Sequence, residues 1–243
     1  MKAVILAAGY ATRLHPLTLD RPKHLLEVGG RTMLDRLLGQ LPLDELEVVY
    51  VVTNAKFADR FRAWAAGRES KVEVIDDGTT SEDDKLGAIG DLELVIGSRQ
   101  VDDDLVVAAG DSLFTERLDA FVQFARDRSA AAIAVYEVDE LEEMTRLSSV
   151  TVDSEARVVA LEEKPERPTS KLAGIALYYY PREILPLVAE YLADGNNPDQ
   201  PGRFVEWLYR RTPVYAWRVP GRWLDIGTPE TLVEADRTFG SRG

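Results

Sequence analysis

Apolar residues follow two different patterns in the first 138 residues of the chain. Short continuous runs, such as KAVILAA and DLVVAAG, are typical of strands in a parallel sheet that is covered on both faces. Between such runs, segments such as RTMLDRLLGQL carry apolar residues at helical spacing. This alternation predicts an α/β fold with a mixed, mostly parallel sheet and helices on both faces.

The pattern changes after Val138. The stretch SSVTVDSEARVVALEEKP predicts two antiparallel strands joined at Asp153–Ala156. Further on, helices are predicted at 182–193 and 204–210, followed by a strand and a C-terminal helix. Because no repeat or low-complexity linker interrupts this order, residues 1–243 are predicted to form a single domain.

Composition narrows the classes of protein to consider. With 45% hydrophobic and 29% charged residues, the chain has the composition of a soluble globular protein. No apolar run approaches the ~20 residues of a membrane helix. The apolar stretch before Gly9 is too short for a secretion signal, so a cytoplasmic location without membrane partners is expected.

Charge and the scarce residue types exclude several chemistries. A net charge of −13 argues against nucleic acid as a partner, because phosphate backbones are bound by clustered Lys and Arg. The absence of cysteine excludes disulfides and thiolate nucleophiles, and two histidines are few for a histidine-based metal site or catalytic triad. A basic pocket within an acidic protein would instead indicate a small phosphorylated ligand with a divalent cation.

The loop after the first predicted strand has the residues of a phosphate-binding loop. Gly9 permits close approach to backbone N–H groups, and Arg13 and Lys23 supply positive charge. Pro16 and Pro22 stiffen the segment between and around the two cations. The alternative is an ordinary surface loop with two solvated cations. The segment is neither a G-x-x-x-x-G-K-[ST] loop nor a G-x-G-x-x-G turn.

This loop, LAAGYATRL followed by RPKHLLEV, resembles the signature of nucleotidyltransferases that act on sugar 1-phosphates. That family includes glucose-1-phosphate thymidylyltransferases and other NDP-sugar pyrophosphorylases. Ala8 and Ala11 stand where many members have glycine. Three further stretches resemble the family's later motifs in the same order: VVAAGDSLF, LEEKPERP and GRWLDIGTPETLVEAD. The resemblance implies a Rossmann-like fold of the nucleotide-diphospho-sugar transferase type.

The resemblance also implies the reaction and the parts of the chain that carry it. A nucleoside triphosphate and a sugar 1-phosphate would react to an NDP-sugar and pyrophosphate, with Mg²⁺ as cofactor. Residues 1–138 would form the nucleotide-binding half and 139–222 the acceptor-binding half. Residues 223–243 would carry a metal motif and the C-terminal helix.

The family pattern assigns roles to matching positions in this sequence. Nucleotide-binding residues are Leu6, Ala8, Gly9, Asp77 and Gly87; catalytic residues are Arg13, Lys23 and Asp111; sugar phosphate-binding residues are Glu163, Lys164 and Tyr178; metal-binding residues are Asp111 and Asp225.

The position and residue type of Asp111 and Asp225 support a metal site even without the family resemblance. Asp111 closes an apolar strand, where a carboxylate at the carboxyl edge of a parallel sheet faces a ligand crevice. Two carboxylates without His or Cys suit Mg²⁺, which uses one or two carboxylates together with substrate phosphates. As alternatives, Asp111 and Asp225 are caps of turns or helices, Lys164 belongs to a solvated turn, and Tyr178 is a packing aromatic.

Two departures from the family pattern concern specificity. Members that take thymidine or uridine triphosphate often have glutamine near the position of Asp76 or Asp77. Glutamine can donate to a base carbonyl, whereas a carboxylate only accepts. Ala176 occupies a position that is often glycine. The sequence therefore names neither the base nor the sugar, and a homo-oligomer stays open.

Two other functions compete with this interpretation. One is a cytidylyltransferase acting on phosphocholine or a polyol phosphate, to whose aromatic cage Tyr178–Tyr180 and Trp207 could contribute. The other is a non-catalytic nucleotide-sensing regulatory subunit. Such subunits typically lack a metal aspartate or a loop cation, whereas Arg13, Lys23, Asp111 and Asp225 are all present.

Overall fold

The computed structural model describes residues 1–66, 68 and 71–240. The chain forms two compact units that interleave along the sequence. The first unit comprises Met1–Lys85, Ala108–Asp119 and Gly221–Gly243, and the second comprises Leu86–Val107 and Ala120–Pro220. These boundaries differ from the divisions after residues 138 and 222 that the family resemblance implies. The assignment of substrates to the parts of the chain on either side of those residues stays a prediction.

Strands and helices alternate through most of the described residues, which confirms the α/β class. The strands are β1 Lys2–Leu6, β2 Glu27–Val28, β3 Arg31–Thr32, β4 Val49–Thr53, β5 Val72–Asp76, β6 Leu105–Ala109, β7 Ser112–Phe114, β8 Ala131–Glu137, β9 Ser148–Val152, β10 Val158–Glu163, β11 Leu172–Tyr180, β12 Val214–Arg218 and β13 Trp223–Asp225. The helices are α1 Met33–Gln40, α2 Ala58–Ala66, α3 Ala88–Arg99, α4 Asp119–Arg128, α5 Pro186–Ala193, α6 Pro201–Leu208 and α7 Pro229–Gly240. None of these helices has the length and apolar character that crossing a membrane requires.

The first unit is built on parallel strands. β1 pairs with β4 and β4 pairs with β5, both in parallel. Val4, Ile5, Val51 and Val52 have no solvent exposure, as the continuous apolar runs predict for strands covered on both faces. Because parallel strands end at the same edge of their sheet, the loops after β1, β4 and β5 begin at one edge of this unit.

A short antiparallel pair fixes two later segments of the first unit. β7 pairs with β13, so that Ser112 lies opposite Asp225. The N–H of Ile226 donates to the carbonyl oxygen of Asp111 at 3.1 Å. Leu113 and Leu224 are buried in the core beside these residues. Strands of three residues are too short to show a period, which explains why the sequence pattern did not predict this pair.

The second unit is largely antiparallel. Its strands lie in the order β10, β9, β11, β8, β12, and only β8 and β12 are parallel neighbours. The turn predicted at Asp153–Ala156 is confirmed, with Asp153 accepting hydrogen bonds from the N–H groups of Glu155 and Arg157. The helix predicted at 204–210 begins instead at Pro201, since proline is favoured in a first helical turn.

Asp35 connects the helices α1 and α2 of the first unit. Thr32 caps α1 by accepting from the N–H of Asp35 at 3.1 Å, and its hydroxyl donates to the Asp35 carboxylate at 2.7 Å. Trp64 and Arg68 donate to the same carboxylate. Burial alone would raise the pKa of Asp35, but the hydrogen bonds from Thr32 and Arg68 outweigh it, and the pKa lies below its usual value.

Replacement of this carboxylate should therefore destabilise the protein in a pH-dependent way. We expect Asp35→Asn to lower the free energy of unfolding by about 1–2 kcal/mol at pH 7. A carboxyl group with a lowered folded-state pKa stabilises above its unfolded pKa, and this contribution is lost as the pH falls through the folded pKa. Denaturant titrations should show a smaller difference in unfolding free energy between wild type and Asp35→Asn at pH 3 than at pH 7. The control Asp44→Asn, at an exposed position, should differ little from wild type in unfolding free energy. An equal loss at both values would contradict this role.

Candidate active site

Buried polar side chains donate hydrogen bonds to the backbone of the loop after β1. Asn54 is fully buried and donates from Nδ2 to the carbonyl oxygen of Ala8 at 2.7 Å. The hydroxyl of Thr18, also fully buried, donates to the carbonyl oxygen of Ala11 at 2.8 Å. No atom lies within 4 Å of the place where a Cβ would stand on Gly9. The loop is thus supported on one side and leaves open space at its glycine.

Ala11 adopts the left-handed conformation, with φ of 49°. This is one of the two positions where many family members have glycine, and an alanine there carries a steric penalty that glycine avoids. The hydrogen bond from Thr18 accompanies this conformation. Of the two alanines that stand where many members have glycine, Ala11 is therefore the one with a conformational penalty.

Lys23 forms an ion pair with Asp111 inside the first unit. Lys23 lies in a 3₁₀ turn, Lys23–Leu25, that follows Pro22, and Asp111 lies between β6 and β7. The side chains are 10% and 24% exposed, respectively. Burial would raise the pKa of Asp111, but the positive charge of Lys23 outweighs it and the pKa lies below its usual value.

Asp225 completes a cluster of four charged side chains in this unit. Asp225 is exposed to solvent on one side, yet protein atoms around its carboxylate reduce its hydration and the charge of Asp111 repels it, and these two effects raise its pKa to about 6. A Cβ on Gly227 would lie 3.4 Å from Nη2 of Arg13 and 3.6 Å from Oδ2 of Asp225. Arg13 and Asp225 therefore both approach Gly227 closely. The structure thus brings Arg13, Lys23, Asp111 and Asp225 together, although they are far apart in sequence.

The donor set of this cluster fits Mg²⁺. Within residues 1–66, 68 and 71–240, no three His, Cys, Asp or Glu side chains converge as a metal site. Asp111 and Asp225 are near enough for one charge to raise the pKa of the other, which a bound cation would relieve. Mg²⁺ binds through one or two carboxylates and completes its shell with water and substrate phosphates. The two aspartates match that requirement.

His24 is a buried neighbour of this cluster. Burial and the charge of Lys23 lower its pKa to about 3, so the imidazole is neutral. Its Cδ2 would lie 2.8 Å from a Cβ on Gly110, the residue before Asp111. The ring fills the space beneath the Gly110–Asp111 turn. The sequence does not reveal this packing role, because the small number of histidines only argues against a histidine-based metal site.

Asp77 lies in a second loop of the first unit. One of its carboxylate oxygens accepts from the N–H of Thr79 at 2.7 Å, which closes the turn after β5. The hydroxyls of Thr79 and Tyr10 are 3.3 Å apart, and Tyr10 directly follows Gly9. A hydrogen bond therefore joins the two loops. This bond is not predictable from the motif, because the residue after Gly9 varies in the family pattern.

Gly87 belongs to the second unit, where it precedes α3. Its φ is +80°, and a Cβ on it would lie 2.6 Å from the carbonyl oxygen of Pro198. The N–H groups of Ala88 and Ile89 donate to the carbonyl oxygens of Asp199 and Pro198. Close packing of this backbone accounts for the glycine. The contact of Gly87 with a nucleotide base stays a prediction.

The predicted acceptor residues all lie in the second unit. Glu163 ends β10 and is half-buried, and Lys164 is exposed with a left-handed φ of 50°. Tyr178 is 2% exposed and stacks on Tyr180 at 5.8 Å between ring centroids. Burial, followed by electrostatic interactions with Tyr180 and Glu163, raises the pKa of Tyr178, so its phenol is protonated. The ring packs in the core, and its contact with a sugar stays a prediction.

Comparison with known proteins identifies the family. The family model described as nucleotidyl transferase matches residues 2–241. The chain is 31% identical over 251 residues to the UTP–glucose-1-phosphate uridylyltransferase AglF of Haloferax volcanii, covering 98% of this chain and 96% of AglF. It is 26% identical over 239 residues to the bifunctional protein GlmU of Methanocaldococcus jannaschii, covering 98% of this chain but only 54% of GlmU.

The fold is also found in solved structures. A UDP-glucose pyrophosphorylase solved without ligand superposes with a TM-score of 0.83 at 19% identity, covering 100% of this chain and 99% of the other. At that identity the similarity shows the fold alone. It confirms the predicted nucleotide-diphospho-sugar transferase type. With the match to the family model over nearly its whole length, the chain belongs to the nucleotidyl transferase family.

Proposed function

We propose that the protein is a Mg²⁺-dependent nucleotidyltransferase that makes an NDP-sugar and pyrophosphate from a nucleoside triphosphate and a sugar 1-phosphate. The observation that carries the proposal is the convergence of Arg13, Lys23, Asp111 and Asp225 in the first unit. The relatives support it, because AglF is named for UTP and glucose 1-phosphate. This name favours a sugar over phosphocholine or a polyol phosphate as acceptor.

The proposed reaction is a direct displacement at phosphorus. An oxygen of the acceptor's phosphate forms a bond to the α-phosphorus of the triphosphate. The bond from that phosphorus to the bridging oxygen breaks, and its electron pair leaves with pyrophosphate. The acceptor phosphate is largely ionised near pH 7, so the reaction needs no general base. Catalysis then consists of positioning two anions and neutralising their charge.

The residues of the first unit would serve the triphosphate. The open space at Gly9 lets backbone N–H groups approach phosphate oxygens. Arg13, which is exposed, would stabilise the departing pyrophosphate. Lys23 would exchange its contact with Asp111 for one with the α-phosphate. Mg²⁺ held by Asp111 and Asp225 would supply charge neutralisation at the reacting phosphate.

The residues of the second unit would serve the acceptor. Lys164 is exposed, and its N–H donates to the carbonyl oxygen of Leu147 at 3.0 Å, which holds its backbone in the left-handed conformation. Its ammonium group would meet the phosphate of the acceptor. Glu163 would accept a hydrogen bond from a sugar hydroxyl.

The proposed activity predicts pyrophosphate release only when both substrates are present. Purified protein with Mg²⁺ should be tested with ATP, GTP, CTP, UTP and dTTP, each against glucose, mannose and N-acetylglucosamine 1-phosphates and phosphocholine. We expect release with at least one sugar 1-phosphate, and none when the acceptor is omitted. Turnover of phosphocholine alone would replace the sugar assignment, and no turnover at all would contradict catalysis.

The metal assignment predicts a large loss of activity from either aspartate. Asp111→Asn and Asp225→Asn should each lower kcat by about 100-fold or more, because removal of a carboxylate charge weakens Mg²⁺ at the transferring phosphate. The control is Asp59→Asn, whose side chain is 97% exposed on α2 of the same unit. Steady-state rates across a Mg²⁺ titration would test this. Wild-type rates for Asp225→Asn at low Mg²⁺ would rule out the two-aspartate site.

Lys164 should act on one substrate only. We expect Lys164→Ala to raise KM for the sugar phosphate by about 10- to 150-fold, which corresponds to one charge-assisted contact. KM for the triphosphate should change little. Lys171→Ala, which removes another lysine of the second unit, is the control. An equal rise in KM for the sugar phosphate and for the triphosphate would show that Lys164 is not specific to the acceptor.

A further inference from the structure

Glu163 has a hydrogen-bond partner directly across the sheet. β9 and β10 are antiparallel, and Ser148 and Glu163 are opposite residues in this pairing. Opposite residues in an antiparallel pair present their side chains on the same face. The hydroxyl of Ser148, which is 5% exposed, donates to Oε2 of Glu163. One oxygen of the carboxylate is therefore occupied by a buried donor.

Helix α6 leaves a space that this carboxylate fills. Gly202 lies in the first turn of α6, and a Cβ on it would lie 2.1 Å from Oε2 of Glu163 and 2.5 Å from Oγ of Ser148. Any side chain at this position would have to displace the carboxylate. The amino end of a helix also favours a neighbouring anion.

The same helix holds the backbone of Glu163. Glu206 lies four residues after Gly202, on the same face of α6, and its carboxylate accepts from the N–H of Glu163 at 3.4 Å. The backbone N–H of Glu163 is thus bound by α6, and its side chain is bound by Ser148 on the neighbouring strand, in the space that Gly202 leaves. A half-buried residue with two rotatable bonds beyond its Cβ needs such contacts to keep one orientation.

We propose that Ser148 and Gly202 are positioning residues that orient Glu163 for recognition of the acceptor. With Oε2 bound to Ser148, the oxygen Oε1 is left for the ligand. An ionised carboxylate only accepts hydrogen bonds, so the ligand must present a donor, which in a sugar 1-phosphate is a ring hydroxyl. This inference rests on the proposed function and adds the residues that set its preference for a hydroxylated acceptor.

Ser149 provides a matched control for the hydroxyl. It is the next residue on β9, is 7% exposed, and lies opposite Glu162 rather than Glu163. With the sugar 1-phosphates named above, Ser148→Ala should raise KM for the acceptor by about 5- to 10-fold, as expected for loss of one hydrogen bond. KM for the triphosphate should stay within about 2-fold of the wild-type value. In Ser149→Ala, the KM values for the acceptor and for the triphosphate should both stay within the same limit.

Deoxy acceptors separate positioning from a general structural effect. Monodeoxy analogues, each lacking one ring hydroxyl, should be assayed with wild type and with Ser148→Ala. For the analogue that lacks the hydroxyl bound by Glu163, the two proteins should have similar acceptor KM values, because the contact is already missing. A structural defect would instead persist with every analogue, and that result would overturn the proposal.

Gly202→Ala tests whether the space beside Gly202 is needed to orient the carboxylate of Glu163. Alanine favours helix over glycine, so the substitution should not weaken the helix itself, yet it forces Glu163 to move. Acceptor KM should rise at least as much as in Ser148→Ala. Gly39→Ala in α1, where nothing lies within 4 Å of the new Cβ, should leave both KM values unchanged.

The outcomes also separate this inference from the proposed function. If wild type releases pyrophosphate but Ser148→Ala and Ser149→Ala have the same acceptor KM, only the positioning role is wrong. If wild type turns over none of the sugar 1-phosphates, the proposed function fails and this inference fails with it.

Discussion

The ion pair between Lys23 and Asp111 is the contact on which the arrangement of the first unit's charged groups depends. The partial burial of Asp111 disfavours its ionised form, because removal of a charge from water is costly, and a positive partner compensates for this. Lys23 supplies that partner and holds the pKa of Asp111 low. Asp225, placed opposite Ser112 by the pairing of β7 with β13, has no such ion pair among the described residues, and its pKa is raised. The unit thus has one neutralised carboxylate and one that a further cation would stabilise.

This arrangement is consistent with an acidic protein that handles anions. The net charge of −13 would repel a triphosphate if the charges acted over long distances. At physiological ionic strength, however, exposed charges are screened beyond about 8 Å. Under the proposed function, recognition of the triphosphate would then depend on local groups, for which Arg13, Lys23 and the backbone N–H groups beside Gly9 are the candidates. The same argument applies to Lys164, which stands exposed in the second unit.

The sequence predicted the parts of the site better than their contacts. The ends of the apolar strands located Asp111 and the loop at Gly9, because continuous apolar runs and their end points are local features. The pairing of Lys23 with Asp111 joins residues 88 positions apart, which no periodicity reveals. The opposition of Ser148 and Glu163 depends on strand register, and a shift by one residue would place them on different faces. At Gly87, the structure adds the Pro198 backbone packed against the glycine, and the approach by a base that the family pattern implies stays a prediction.

The glycines of the second unit show why residue type alone does not determine a role. Gly202 lies in the first turn of a helix, where sequence rules treat glycine only as a residue that weakens the helix. Its actual constraint is a carboxylate from another strand, placed where a side chain would be. Gly87 has a positive φ and abuts a carbonyl group, so both conformation and space require glycine there. The first constraint places a charged group that the proposed reaction uses, whereas the second joins α3 to the segment at Pro198. A substitution at Gly202 should therefore affect acceptor binding before stability, and one at Gly87 should affect stability first.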